Sequence, residues 1–303
     1  MDENNCTPIH HAVEATRNEE KLMEILLEHG FSPDHSNVFG AHPLHYVCFR
    51  KNRWSAIAQI LIDYGATVNS QTAELQTPLH SACRHAIVEL VTTLLESHAD
   101  PSICDHTGGN ALHATLEAGG KDHLLQDISS QLLQTHANLI TPERSGPLHS
   151  IENNEGWWPV HLGANKGLLS VVHFLIESSA NPEICTSTKM NSIHCAAASG
   201  SFDMLNYLIG KMPSHCVRSL DARGNTPLHH AVQRDSRECA NLLLRNGASS
   251  RVRNNARQTP LDMVRQFQGI TPHANLGTLS SFNLTSLVNE MSFYIHDGFI
   301  HIL

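Results

Sequence analysis

Twenty-three histidines and eight cysteines in 303 residues could hold metal ions or run nucleophilic chemistry. Both uses need particular spacings. A zinc site built from one stretch of chain wants C-x-x-C pairs or two histidines four residues apart, as in H-E-x-x-H. The cysteines stand at 6, 48, 83, 104, 185, 195, 216 and 239, and neither pattern occurs. No metal ligand and no cofactor-binding residue is therefore assigned, and no cofactor is expected. A nucleophilic cysteine needs a thiol whose pKa its neighbours depress, and nothing adjacent to Cys104 or Cys185 supplies that. The nucleophile elbow G-x-S-x-G, the phosphate loop G-x-x-x-x-G-K-[ST] and G-x-G-x-x-G are also absent. No catalytic residue is named, and the chain reads as a non-enzyme.

The spacing of the histidines suggests another use. Thr7-Pro8-Ile9-His10-His11-Ala12, Thr77-Pro78-Leu79-His80-Ser81-Ala82 and Thr226-Pro227-Leu228-His229-His230-Ala231 repeat one pattern. Looser copies are His42-Pro43-Leu44-His45, Asn110-Ala111-Leu112-His113, Trp158-Pro159-Val160-His161, Asn191-Ser192-Ile193-His194 and Thr259-Pro260-Leu261-Asp262. At the fourth position the intervals are 35, 35, 33, 48, 33, 35 and 33 residues. Self-similarity at such a period marks a stacked repeat architecture. The pattern strongly resembles the ankyrin repeat family, over roughly residues 5 to 268.

Physical chemistry accounts for the pattern. Thr caps a first helix through its hydroxyl, and Pro fits the first helical position, where its missing N–H costs nothing. Leu enters the core and Ala lets two helices approach. About eleven residues on comes a second apolar helix, such as Glu89 to Leu95, closed by a turn such as His29-Gly30, Tyr64-Gly65 or Asn246-Gly247. The resemblance implies an all-α solenoid of about eight helix-turn-helix repeats with β-hairpin fingers, its motif histidines hydrogen-bonding between neighbouring repeats. Repeats are expected to start near 7, 42, 77, 110, 158, 191, 226 and 259 within a domain of residues 1–268, with a non-repeat cap or tail over 269–303.

Departures from the pattern are expected to mark special features. Leu75, Lys189 and Arg257 stand where other fingers carry glycine. The 48-residue interval holds about fifteen extra residues, read as five around Leu116 to Asp127 and some ten in a finger lengthened over 141–157. Gly146-Pro147-Leu148-His149, inside that finger, reads as a chance likeness in a loop. Asp262 in place of the motif histidine resembles a terminal repeat.

Composition narrows the function. Twenty basic against 29 acidic side chains disfavours general nucleic-acid binding, which needs a basic footprint. No basic-then-apolar leader opens the chain, and no apolar run approaches the ~20 residues of a membrane helix. Scattered cysteines read as reduced thiols, hence a protein of the cytoplasm or the nucleus; a monomer that binds no membrane is expected. Residues 1–150 hold 18 acids and 8 bases, whereas 211–265 hold four acids and ten bases, so two docking zones of opposite charge are expected. Phe39, Trp157 and Arg223 are the candidate partner-binding residues, each expected on a finger. Asn69, with Leu61 eight residues before it, occupies the position at which ankyrin repeats resemble asparaginyl hydroxylase substrates, so it is a candidate modification site. The function implied by the resemblance is a protein–protein scaffold or adaptor that binds a partner on its concave finger face. The alternatives are an ankyrin regulatory portion of a larger enzyme or ion channel, or a substrate adaptor of a ubiquitin ligase.

Overall fold

The computed structural model describes residues 2–14, 19–49, 53–118, 120–139 and 147–267. Among these residues are fifteen α-helices, three short 3-10 helices and no strand. The expected cap or tail over 269–303 lies outside them, as do residues 141–146 of the expected insertion.

Two compact units divide the chain at 159/160. The first contains four helix pairs: α1 (Pro8–Glu14) with α2 (Glu19–Glu28), α3 (Pro43–Tyr46) with α4 (Trp54–Asp63), α5 (Pro78–Arg84) with α6 (Val88–Glu96), and α7 (Ala111–Glu117) with α8 (Asp122–Leu139). First helices pack on first helices and second on second, as α5 on α7 and α4 on α6. The second unit holds α9 (Pro159–Lys166), which begins at the boundary, α10 (Leu169–Glu177), α11 (Ser192–Ser199), α12 (Phe202–Lys211), α13 (Pro227–Gln233), α14 (Arg237–Arg245) and α15 (Pro260–Phe267). There α13 packs between α11 and α15, and α12 against α14.

Each first helix starts where the sequence pattern puts it. Thr77 caps α5 by accepting the N–H of His80 (3.4 Å), with Pro78 in the first helical position. Asn110 caps α7 through the N–H groups of Leu112 and His113, and Asn191 caps α11 through that of His194. The motif leucines Leu44, Leu79, Leu112 and Leu228 are essentially inaccessible to solvent.

The fingers are turns, not the expected β-hairpins. Within the finger of α3, Asn37 N–H donates to Ala41 O (3.0 Å) and Gly40 N–H to Asn37 O (2.9 Å). A single backbone amide then links each finger to the one before it: Ala73 N–H to Phe39 O, His106 N–H to Glu74 O and Asn154 N–H to Thr107 O, and, in the second unit, Ala222 N–H to Thr188 O and Asn255 N–H to Arg223 O. One backbone bond per finger pair is too few to build a ladder of strands.

The tip needs a left-handed residue. Gly40, Gly108, Gly156 and Gly224 supply it, but Leu75, Lys189 and Arg257 take the same position with φ of 59°, 60° and 61°. That conformation costs a side-chain-bearing residue roughly 1–2 kcal/mol, against about 0.5–1 kcal/mol for the extra freedom a glycine loses on folding. Leu75→Gly is expected to stabilise the chain by about 0.5–1 kcal/mol, read as a raised urea midpoint. A lowered midpoint would show that the Leu75 side chain makes compensating contacts.

The extra residues of the long interval are placed differently from expectation. α8 runs for 18 residues, whereas the other second helices have nine or ten, so much of the insertion extends a helix. Leu125, Ile128 and Leu132 recur on its buried side. The Gly146-Pro147-Leu148-His149 stretch is also ordered where it is described. Residues Leu148–Ser150 form a 3-10 turn, Leu148 is fully buried, and its carbonyl accepts a hydrogen bond from Asn110 Nδ2 (3.2 Å). Asn191 repeats the arrangement, donating to Cys216 O (3.3 Å) in the 3-10 turn Ser214–Arg218. In both places an asparagine replaces the motif threonine, and its spare amide anchors a turn that a hydroxyl would not reach.

Candidate functional site

The buried motif histidines form one repeated connection. In His10, His45, His80, His113, His194 and His229, Nδ1 accepts the backbone N–H of the residue three before, at 3.0–3.3 Å. Nε2–H is then free to donate to the next finger: to Ala41, Gln76, Gly109, Trp157, Asn225 and Gln258 carbonyls at 3.0–3.3 Å. His161 donates to Ile184 O instead (2.8 Å). This pattern requires the neutral Nε2–H tautomer. Burial, partly offset by the bond to the finger carbonyl, lowers the pKa of His45, His113 and His161 to about 4, and His194 reaches about 4 through burial and the neighbouring His230. Asp262 keeps the inward half of the arrangement, accepting Thr259 N–H at 3.0 Å, but has no proton to send onward.

These histidines are taken up by structural hydrogen bonds, which leaves the exposed side chains as candidate contact groups. In the first unit, Phe39 is 62% exposed at a finger tip and Val38 beside it is 58% exposed. Leu75 lies at the next tip. On the first-helix side, Phe49 is 65% exposed, with its ring 6.1 Å from Tyr46 and 5.5 Å from His85. The same unit carries exposed acidic groups. Glu14, Glu74 and Glu117 are exposed, and Asp105 is held below the usual carboxylate range by Thr107 and Gly109 against the opposing effect of its burial. Arg84 bridges Asp105 (3.7 Å) and Glu117 (3.4 Å).

The sequence candidates fall in different places. Phe39 stands on a tip as expected. Trp157 does not: its ring is half-buried, and the residue sits at the finger root, where its carbonyl receives His113 and its N–H donates to Asn153 Oδ1 (2.9 Å). Arg223 is exposed at a tip of the second unit, its backbone N–H bonded to Asp221 Oδ1 (2.8 Å). Asp221 also takes His230 Nε2 at 2.9 Å, a half-buried pairing absent from the sequence reading. The Asn69 side chain is engaged, accepting Asp100 N–H (2.9 Å) and donating to His98 O (3.3 Å). Phe49 was missed because it follows a motif helix at a position normally taken by polar residues.

All eight cysteines are free thiols. Burial pushes Cys48, Cys83 and Cys195 well above the ordinary thiol range, which leaves them inert as nucleophiles. No helix among the described residues is long and apolar enough to cross a membrane.

Comparison with known proteins gives the same architecture. The family profile described as ankyrin repeats (3 copies) matches residues 9–105, 79–184 and 160–255. The chain is 26% identical over 193 residues to transient receptor potential cation channel subfamily A member 1 of Homo sapiens, covering 63% of this chain and 16% of the channel. It is 24% identical over 206 residues to the probable 26S proteasome regulatory subunit p28 of Saccharomyces cerevisiae, covering 67% of this chain and 84% of that subunit. It is 27% identical over 232 residues to the B-cell lymphoma 3 protein homolog of Mus musculus, covering 75% of this chain and 48% of the homolog. The repeated helix pairs, the histidine connections and these matches together show that the chain belongs to the ankyrin-repeat family.

Proposed function

We propose that this chain is a non-catalytic scaffold that binds a partner protein through finger tips and first helices, and that its N-terminal unit takes a basic segment carrying apolar anchors. The observation that carries this reading is the exposure of Phe39 and Phe49 in the unit that also exposes Glu14, Glu74 and Glu117. Aromatic side chains held on a stiff scaffold lose little freedom on binding, which favours them as interface anchors. The 18 acids against 8 bases of residues 1–150 add electrostatic attraction for a basic partner. Arg223, in the basic stretch of the second unit, forms a separate zone for acidic contacts. The chain acts in the cytoplasm or nucleus, a reading supported by its eight free thiols, and it is proposed to act as a monomer. Asn69 is the proposed hydroxylation site.

A random-peptide selection on the immobilised chain tests the main reading. Enriched peptides should combine Lys or Arg with a large apolar residue, and should bind less well to Phe39→Ala. Peptides without basic residues, or equal binding to the variant, would contradict it. Arg223→Glu is expected to slow association with an acidic ligand and flatten its salt dependence, because rim charges act mainly on encounter. Stopped-flow rates at two salt concentrations read this directly; unchanged rates would remove Arg223 from the binding zone.

A second reading treats the same surface as the regulatory portion of a longer protein. It is favoured by the small fractions of the channel and of the palmitoyltransferase AKR1 of Lachancea kluyveri that the chain spans, 16% and 23%.

A further inference from the structure

We propose that Glu183, His215 and Cys216 of the second unit, completed by Cys185, form a zinc-binding site. A carboxylate oxygen of Glu183, an imidazole nitrogen of His215 and the Cys216 sulfur all lie within 4.8 Å of one another. Nε2 of His215 is 3.6 Å from Cys216 Sγ. Zinc bonds of about 2.3 Å to sulfur and about 2.0–2.1 Å to nitrogen, set at a tetrahedral angle, put those two atoms about 3.6 Å apart. Cys185, two residues beyond Glu183, lies outside this group of three: its thiol donates to the Glu183 carbonyl (3.7 Å), and it gives the fourth ligand by turning away from that carbonyl. A mixed sulfur, nitrogen and oxygen donor set of four suits zinc better than the oxygen-seeking calcium or magnesium.

Two buried motif residues hold the ligand-bearing segments in place. His161, fully buried, donates to the carbonyl of Ile184, which lies between Glu183 and Cys185. Asn191, also buried, donates to the carbonyl of Cys216, which Ser219 Oγ also reaches at 2.7 Å. Both ligand segments are thus fixed by backbone contacts that leave the Glu183, His215 and Cys216 side chains grouped together. Glu183 and His215 are exposed, so an ion has an entry path, while Cys216 is covered. Binding releases the two thiol protons to solvent and ties the connection after α10 to the one after α12. The expectation of no metal rested on spacing along the chain, whereas these ligands come from neighbouring repeats about one period apart.

The test uses the full chain, purified without an affinity tag under reducing conditions and titrated with zinc alone. One zinc per chain is expected by elemental analysis, with a raised melting temperature. Cobalt in its place should give the intense near-ultraviolet band of thiolate ligation and visible bands of tetrahedral geometry. His215→Ala and Glu183→Gln change exposed side chains and should keep the helical circular dichroism of the wild type. Each should weaken zinc by more than the ~10–100-fold typical of losing an outer-shell partner. Cys185→Ser should weaken it similarly and reduce the thiolate band. Less than about one zinc per ten chains in the wild type, undiminished affinity in His215→Ala, or a cobalt spectrum lacking thiolate character would overturn the proposal.

Discussion

Lowering the pH from 7.5 to 4.5 is expected to remove a large part of the chain's folding stability, beginning well above the pH at which surface carboxylates titrate. His45 and His113 in one unit, and His161 and His194 in the other, have pKa values of about 4 in the folded chain. In the unfolded chain each titrates near 6.5. The unfolded state therefore binds more protons between those values, and stability rises with pH across the window. The contribution is fully present above about 6.5 and is lost as pH falls toward about 4. Each histidine accounts for about 3 kcal/mol, so the two in each unit are a large share of the about 5–15 kcal/mol that stabilises an ordinary domain. The charges facing them act in both directions: Asp105 and Asp221 favour the imidazolium of His113 and His194, while His42, His80 and His230 oppose it in His45, His113 and His194. Protonation would also place a donor on Nδ1, where the backbone N–H must be accepted. Urea midpoints followed by circular dichroism at pH 7.5, 6.5, 5.5 and 4.5 should fall steeply below 6.5. A midpoint flat across that range would mean that the histidines are not held neutral by the fold.

Leu228→Ala is expected to cost about 2–5 kcal/mol, the range for a large aliphatic side chain removed from a packed core. Leu228 has no solvent exposure and lies in α13, which packs between α11 and α15 and also contacts α14. Helices on three sides limit how far the site can collapse around the missing methyl groups. A thermal melt of the second unit, followed at wavelengths reporting helix, should shift down by many degrees. A shift below what 1 kcal/mol produces would show that Leu228 lies outside the core register described above.

Much of this was legible in the sequence. The Thr-Pro-Leu-His pattern states a cap, a helix start, a core contact and a connection within four residues, so the first helices could be placed closely. What escaped was everything that depends on departures from the period. The length of α8 was signalled by Leu125, Ile128 and Leu132, three apolar positions at helical spacing, but counting by repeat length hid them. Trp157 could have been placed at a finger root, because it stands where Ala41 and Gln76 stand, immediately before a motif. The β-hairpin expectation came from the family resemblance and not from strand periodicity. The grouping of Glu183 with His215 and Cys216 has no linear signature, since only the stacking of repeats brings them together.

Two variants titrated side by side with a peptide selected on the wild type test the recognition surface most directly. Phe39 lies on a finger tip, whereas Leu22, 41% exposed, lies on the second helix α2. Phe39→Ala should weaken binding by about 1–3 kcal/mol, or about 5- to 150-fold, with the wild-type melting temperature. Leu22→Ala should bind as the wild type does. Unchanged affinity in Phe39→Ala together with a loss in Leu22→Ala would contradict the account and move the partner to the second helices.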